Sequence, residues 1–387
     1  MKFQENKKLK KLPPYLFVDL DKRKKEAVQR GVDIISFGVG DPDLETPKHI
    51  VVSGQRALAK AANHHYPFGS GLKEFREAVS KWYEVRFGVS LNPQSEVHAI
   101  IGSKEGIGHL PLGFIDPGDV VLVPEPGYPV YHTGTIMAGG EPYFMPLKEY
   151  NRFLPDLDAI PPDIARKAKI MFLNYPNNPT SAVADAEFFV KVIAFADKYN
   201  ILVAHDAAYS ELYYENPPIS FLSVPGAKDA GVEFHSLSKT FSMTGWRIGW
   251  VCGNAKVIKT LSAVKDNYDS GVFNAVQEAG VTALSASHAC VEDMRAIYKK
   301  RRDLLCDGLR KYGWDVQTPE ATFYVWAKTP HHISSQKCVE VLLEEAGIVS
   351  TPGSGLGASG EGYVRFSLTV NEYRIIEAVE RISKIKW

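Results

Sequence analysis

The chain has 387 residues, 45% of them hydrophobic and 23% charged, which suits one very large or two ordinary globular domains and excludes disorder or a small stapled module. Forty-five Lys and Arg residues balance 45 Asp and Glu, so no broad positive field exists to draw nucleic acid or an anionic membrane. A small-molecule partner is expected instead.

The basic opening MKFQENKKLKKLPPY lacks the apolar stretch of a secretory signal, and no apolar run reaches membrane-spanning length, so a cytoplasmic location is expected. Cys252, Cys290, Cys306 and Cys338 form no C-x-x-C pair and read as reduced, buried thiols. From residue 97 to 265, short apolar runs alternate with helical patterns. VHAII, VVLVP, KIMFLN, ILVAH, VEFHS and RIGWVCG are the predicted strands, with helices near 104–115, 128–138 and 185–199. Several of these strands are apolar throughout, as a parallel sheet buried on both faces requires. The expectation is α/β: a large, mostly parallel-sheet domain over 45–285, and a smaller α+β domain over 286–387 to which residues 1–44 contribute. In the smaller unit a helix near 287–312 precedes strand TFYVWA, a helix at 334–346, strands IVST and YVRFSL, and a last helix. Thr369 and Glu372 would form a capping box for that helix, with Ile375, Ile376, Val379 and Ile382 as its apolar face.

Several polar residues fall just past the C-terminal ends of the predicted parallel strands, where open α/β sheets bind ligands. Ser103 and Lys104 follow the first strand, Asn178 the third, Asp206 the fourth, and Ser236, Ser238 and Lys239 the fifth. Two hydroxyls, a lysine and Arg247 within SLSKTFSMTGWR can hold a phosphate dianion and leave Lys239 free to form an imine. A desolvated setting beside other cations would lower that amine's pKa. Asp206 could keep a cationic ring nitrogen protonated, while the Tyr209 phenol and Asn178 bond a ring oxygen. Taken singly, GSKEG reads as an ordinary strand-to-helix turn and NYPNNPTS as a plain proline-rich turn, while Asp206 in HDAAYSEL fits a helix cap equally well. GSGLGA at 353–358 precedes a predicted strand rather than a helix, which argues against a dinucleotide site, and His64/His65 and His331/His332 lack metal-ligand spacing.

Together FGVGDPD, YPFGSGLKEFREA, GSKEG, PGYPVY, NYPNNPTS, HDAAYSEL, SLSKTFSMTGWRIGW and YVRFSL resemble, in order and over essentially the whole chain, the fold type I, class I/II pyridoxal-phosphate aminotransferases. PPYLF, GSKEGI and HSLSKT are most similar to the LL-diaminopimelate group of lysine biosynthesis; alanine or broad-range aminotransferases are the alternative. The resemblance implies pyridoxal phosphate as cofactor, amino acid and 2-oxoacid substrates, and a homodimer with shared active sites. It implies that Lys239 carries the cofactor and shuttles the proton, that Asp206 faces the pyridinium, and that Tyr128 stacks on the ring beside Asn178 and Tyr209. Ser103, Lys104, Ser236, Ser238 and Arg247 would take the phosphate, joined by Tyr66 from a second subunit. Arg365 would clamp the substrate α-carboxylate, helped by Gly40, Asn178 and Tyr15. One departure is visible: Ser181 replaces the glycine usual in the turn after Asn178, a position expected to need positive φ.

Overall fold

In the computed structural model, residues 3–13 and 16–387 are described. Strands β1 (Ile35–Ser36), β2 (Val97–Ile100), β3 (Val120–Glu125), β4 (Glu141–Pro146), β5 (Ala168–Asn174), β6 (Leu202–Asp206), β7 (Gly231–Ser236) and β8 (Gly249–Gly253) precede β9 (Tyr324–Lys328), β10 (Ile348–Val349), β11 (Thr351–Pro352) and β12 (Tyr363–Ser367). The central sheet has the order β2-β8-β7-β6-β5-β3-β4. β7, β6, β5, β3 and β4 run parallel, and β8 lies antiparallel between β2 and β7.

All six strands expected in this region exist, and the unbroken apolar character of several has the anticipated cause. Val121 and Val123 join a core with Phe172 and Phe234 on one face, while Val120 and Leu122 join Met171 and Val203 on the other. At about 25 cal/mol per Å² of apolar surface, this two-sided burial dominates the sheet's stabilisation. β4 is an addition to the expected set. It is an edge strand with Met145 and Tyr143 turned to the core and the other face largely exposed, carrying Pro142 and Pro146, which give no N–H to a neighbour and so suit an edge. The last predicted strand begins at Gly249 rather than Arg247, because Arg247 takes a left-handed backbone with φ 55°.

Beyond the 23-residue helix Ala289–Lys311, a second sheet forms in the order β11-β12-β9, all antiparallel, and β1 pairs in parallel with β10. β1 thereby docks on the C-terminal elements, whereas Lys8 donates to the Met137 carbonyl beside the large sheet. The last helix, Glu372–Ile382, is capped by Asn371, whose side chain accepts from the Arg374 N–H; this corrects the expected Thr369 box. Thr369 lies two positions too early, and its hydroxyl bonds the Val39 carbonyl instead. Ile375 and Ile382 are buried with Ala378, whereas Ile376 points outward. Cys252, Cys306 and Cys338 are buried free thiols and Cys290 is half-buried. Among the described residues no helix is long and apolar enough to cross a membrane.

Candidate active site

The carboxyl ends of β5, β6 and β7 open into a cavity of about 320 Å³. Twelve of the fourteen residues singled out in the sequence line it: Gly40, Ser103, Lys104, Tyr128, Asn178, Asp206, Tyr209, Ser236, Ser238, Lys239, Arg247 and Arg365. Tyr66 is not among them; it stands 74% exposed beside Phe68 on the surface of the single chain. Tyr15 lies outside the described residues.

Strand register decides which side chains meet. Asn174 and Asp206 are paired neighbours at the ends of β5 and β6. The Asn174 amide donates to the Asp206 carbonyl at 2.8 Å, and its oxygen accepts the Asn178 N–H at 2.8 Å, fixing the loop that carries Asn178. Asp206 is 5% exposed, and burial pushes its carboxyl above the usual range. The Tyr131 hydroxyl donates to Oδ2 at 2.9 Å and the Ala208 N–H to Oδ1 at 3.3 Å, both opposing that rise. Among the described residues no cation forms an ion pair with Asp206, so a cationic group entering the cavity would find a buried carboxylate ready to compensate it.

Lys239 sits in the short helix Leu237–Thr240 that follows β7, and its Nζ donates to the Gly40 carbonyl at 2.7 Å. Burial lowers its pKa from 10.5 to about 8; Asp41 opposes the shift, while Arg365 and Arg247 add to it. An amine so placed is neutral often enough near neutral pH to attack a carbonyl. Glycine is required at position 40, since any Cβ would collide with the Tyr324 ring and hydroxyl.

On one side of the lysine, Ser103, Ser236 and Ser238 offer hydroxyls, with Lys104 and Arg247 as cations. The Arg247 guanidinium reaches back to Thr244 O at 2.9 Å and Ile101 O at 3.2 Å, bracing the turn that precedes Ser103. Gly102, at φ 80°, leaves the room that this guanidinium fills. Such a set suits a phosphate dianion. On the other side Arg365, 1% exposed on β12, donates to Asn178 Oδ1 at 2.7 Å and Gly38 O at 2.9 Å, and its guanidinium lies 4.4 Å from the Tyr324 ring centre. Because Asn178 Oδ1 faces the arginine, its amide N–H groups are what Asn178 offers to a ligand. Tyr209 and Tyr324 share a 2.9 Å hydroxyl contact, and burial raises both phenols, keeping them neutral donors.

Tyr131, Tyr324, Asn174, Asp41 and Thr244 also line the cavity and were not singled out from the sequence. Tyr131 lies three residues past Tyr128 in the same motif, which is the only local signal. Tyr324 reads as an ordinary inward strand residue until the β9–β12 pairing brings its strand beside Arg365. Ser181 has φ 62°, as expected of a position usually held by glycine, and its Oγ bonds Thr322 Oγ1 at 2.7 Å and the Tyr324 carbonyl at 2.8 Å. Residues 353–360 form two short 3-10 turns leading into β12, not the start of a helix.

The family model for aminotransferase class I and II matches residues 32–382. An LL-diaminopimelate aminotransferase of Syntrophobacter fumaroxidans is 55% identical over 388 residues, covering 100% of both chains. One from Aquifex aeolicus is 53% identical, over 99% of this chain and 100% of its own. Among solved structures, substrate-bound BacF from Bacillus subtilis superposes with a TM-score of 0.96 at 40% identity, covering 99% of this chain and 98% of that one. A single mutant of Thermus thermophilus aspartate aminotransferase gives 0.93 at 30% identity, covering 99% and 100%.

Proposed function

Because the chain belongs to the class I and II aminotransferases, we propose that it moves the amino group between LL-2,6-diaminopimelate and tetrahydrodipicolinate, with glutamate and 2-oxoglutarate as the other couple. Pyridoxal phosphate is its cofactor. Full-length identity of 51–55% to eight LL-diaminopimelate aminotransferases carries the substrate assignment. The cavity's chemistry fits the cofactor: a buried carboxylate with no ion-pair partner among the described residues, a lysine of lowered pKa and a cluster of hydroxyls and cations.

When bound, pyridoxal phosphate supplies the carbonyl that takes up the amino group and the electron sink that makes the substrate Cα–H acidic. In our reading Lys239 would hold the cofactor through Nζ and, once released, would serve as the base for the substrate Cα proton and as the acid that gives it back. Asp206 keeps a proton on the ring nitrogen. Tyr128 covers the ring, and the Asn178 amide with the Tyr209 hydroxyl bonds the ring oxygen. Ser103, Lys104, Ser236, Ser238 and Arg247 neutralise the phosphate, and Tyr66 adds a hydroxyl from a second copy of the chain, making the active unit a homodimer. Arg365, held flat by Asn178, Gly38 and the Tyr324 ring, orients the substrate α-carboxylate as a two-pronged donor, with Gly40 beside it. Four unpaired thiols and biosynthetic relatives support a cytoplasmic enzyme.

A single-turnover absorbance titration of the purified holoenzyme tests the substrate assignment. Rapid conversion of the bound cofactor by LL-diaminopimelate and by glutamate, with alanine slow, is expected. Fast conversion by alanine with inert diaminopimelate would make the enzyme an alanine or broad-range aminotransferase.

A further inference from the structure

Lys265 lies on the helix Ala255–Tyr268, outside the cavity, and is 2% exposed. Its ammonium donates to Glu105 Oε1 at 2.9 Å and to Asp269 Oδ1 and Oδ2 at 3.2 and 3.0 Å. Each carboxylate then holds a separate stretch of backbone. Glu105 Oε2 accepts the Ile101 N–H at 2.8 Å, on the turn that leads through Gly102 to Ser103 and Lys104. Asp269 Oδ1 accepts the Gly271 N–H at 2.8 Å. Gly271, at φ 91°, packs so closely on the Pro67 carbonyl that a side chain there would collide with it. Pro67 adjoins Tyr66, and the Phe68 N–H bonds back to the Tyr66 carbonyl at 3.1 Å.

From this connectivity we infer that Lys265 and Asp269 are positioning residues: they hold the phosphate-facing turn of one active site in register with the Tyr66 segment that serves the other. The inference rests on the reading that Tyr66 reaches a partner's cofactor phosphate. A buried ammonium between two carboxylates adds little stability over apolar packing of similar volume, because desolvation offsets the attraction; it does set geometry. Gln277 fastens the same two stretches by accepting from Leu72 N–H and donating to the Val272 carbonyl, each at 2.6 Å, yet it does not touch the turn before Ser103. The Ala99 N–H also bonds the Ser70 carbonyl at 3.0 Å, tying β2 to the Tyr66 side, but the chain Ile101–Glu105–Lys265–Asp269–Gly271 runs from the turn itself to Pro67.

A double-mutant cycle on cofactor affinity tests this, using the full-length protein stripped of cofactor and titrated with pyridoxal phosphate. Asp269→Ala should weaken equilibrium affinity about tenfold, the scale of one lost charge-assisted hydrogen bond, while kcat at saturating cofactor stays within about twofold. Combined with Tyr66→Phe, it should lose little more than the weaker-binding single variant. Unchanged affinity in Asp269→Ala, or losses that simply multiply, would overturn the inference. If Tyr66→Phe alone binds the cofactor as tightly as the parent, the reading of Tyr66 falls, and the inference with it. Should Asp269→Ala not fold, Gly271→Ala keeps every charge, displaces Pro67, and carries the same cycle with the same expected outcome.

Discussion

Asn178 Oδ1 accepts a 2.7 Å hydrogen bond from Arg365 Nη1, joining the loop after β5 to β12 across 187 residues of sequence. In the proposed reading this couples the residue assigned to the cofactor ring to the one assigned to the substrate carboxylate. Replacing either should disturb both.

Arg365→Lys puts a point charge where a planar fork stood and leaves the Asn178 oxygen without its partner. The expected cost in kcat/KM is about 2 kcal/mol, or roughly thirtyfold, for every amino donor alike. Asn178→Ala should move in the same direction by a smaller factor. Steady-state kinetics with two chemically different donors checks this; a loss confined to one donor would tie Arg365 to the distal group.

Ser181 couples a left-handed backbone, which costs a non-glycine residue about 1 kcal/mol, to two buried hydrogen bonds at its hydroxyl, one donated to the Tyr324 carbonyl and one accepted from the Thr322 hydroxyl. Ser181→Ala keeps the strain and loses the bonds, so it should destabilise by about 2 kcal/mol. Ser181→Gly relieves the strain and should fall between alanine and parent. Urea unfolding of the three proteins gives the order.

His98 is fully buried on β2, and burial, aided by the nearby Lys265 charge, lowers its pKa from 6.5 to about 4; Glu105 and Asp269 pull the other way. The unfolded chain therefore binds a proton between pH 6.5 and 4 that the folded chain refuses. Stability from this group is complete above pH 6.5 and falls as pH drops through that window, by about 3 kcal/mol when the whole shift is spent. His98→Gln should flatten that part of the curve of Tm against pH. An unchanged slope between pH 6.5 and 4 would assign the acid sensitivity elsewhere.

The lowered amine of Lys239 sets a second pH dependence. Only the neutral amine attacks, so the rate at which cofactor-free protein captures pyridoxal phosphate should rise about tenfold per pH unit below 8 and level off above it. Arg365→Ala removes a cation that helps depress the amine, and should move the midpoint upward. Stopped-flow absorbance from pH 6 to 10 reads both.

Much of this arrangement is legible in the sequence because chemistry and strand ends coincide. Asp206 and Asn178 each follow an apolar run that reads as a buried strand, and Lys239 follows the predicted strand VEFHS, so their convergence follows from parallel order. Where a side chain depends on antiparallel register, as Tyr324 does on β9 and β12, one sequence offers no signal. β4 escaped because its half-exposed, proline-bearing edge lacks both the continuous apolar run and clean alternation. Tyr131 escaped because its ring packs in the core on Phe172 while its hydroxyl reaches Asp206. The Asn371 cap shows a local rule applied two residues early.

The identity of the cofactor-bearing amine is the claim on which the rest depends. Holoenzyme reduced with borohydride, digested and mapped by mass spectrometry should carry the cofactor label on the peptide containing Lys239 and on no other. Label on Lys104 or any other lysine, or a reducible link that survives in Lys239→Ala, would contradict the assignment.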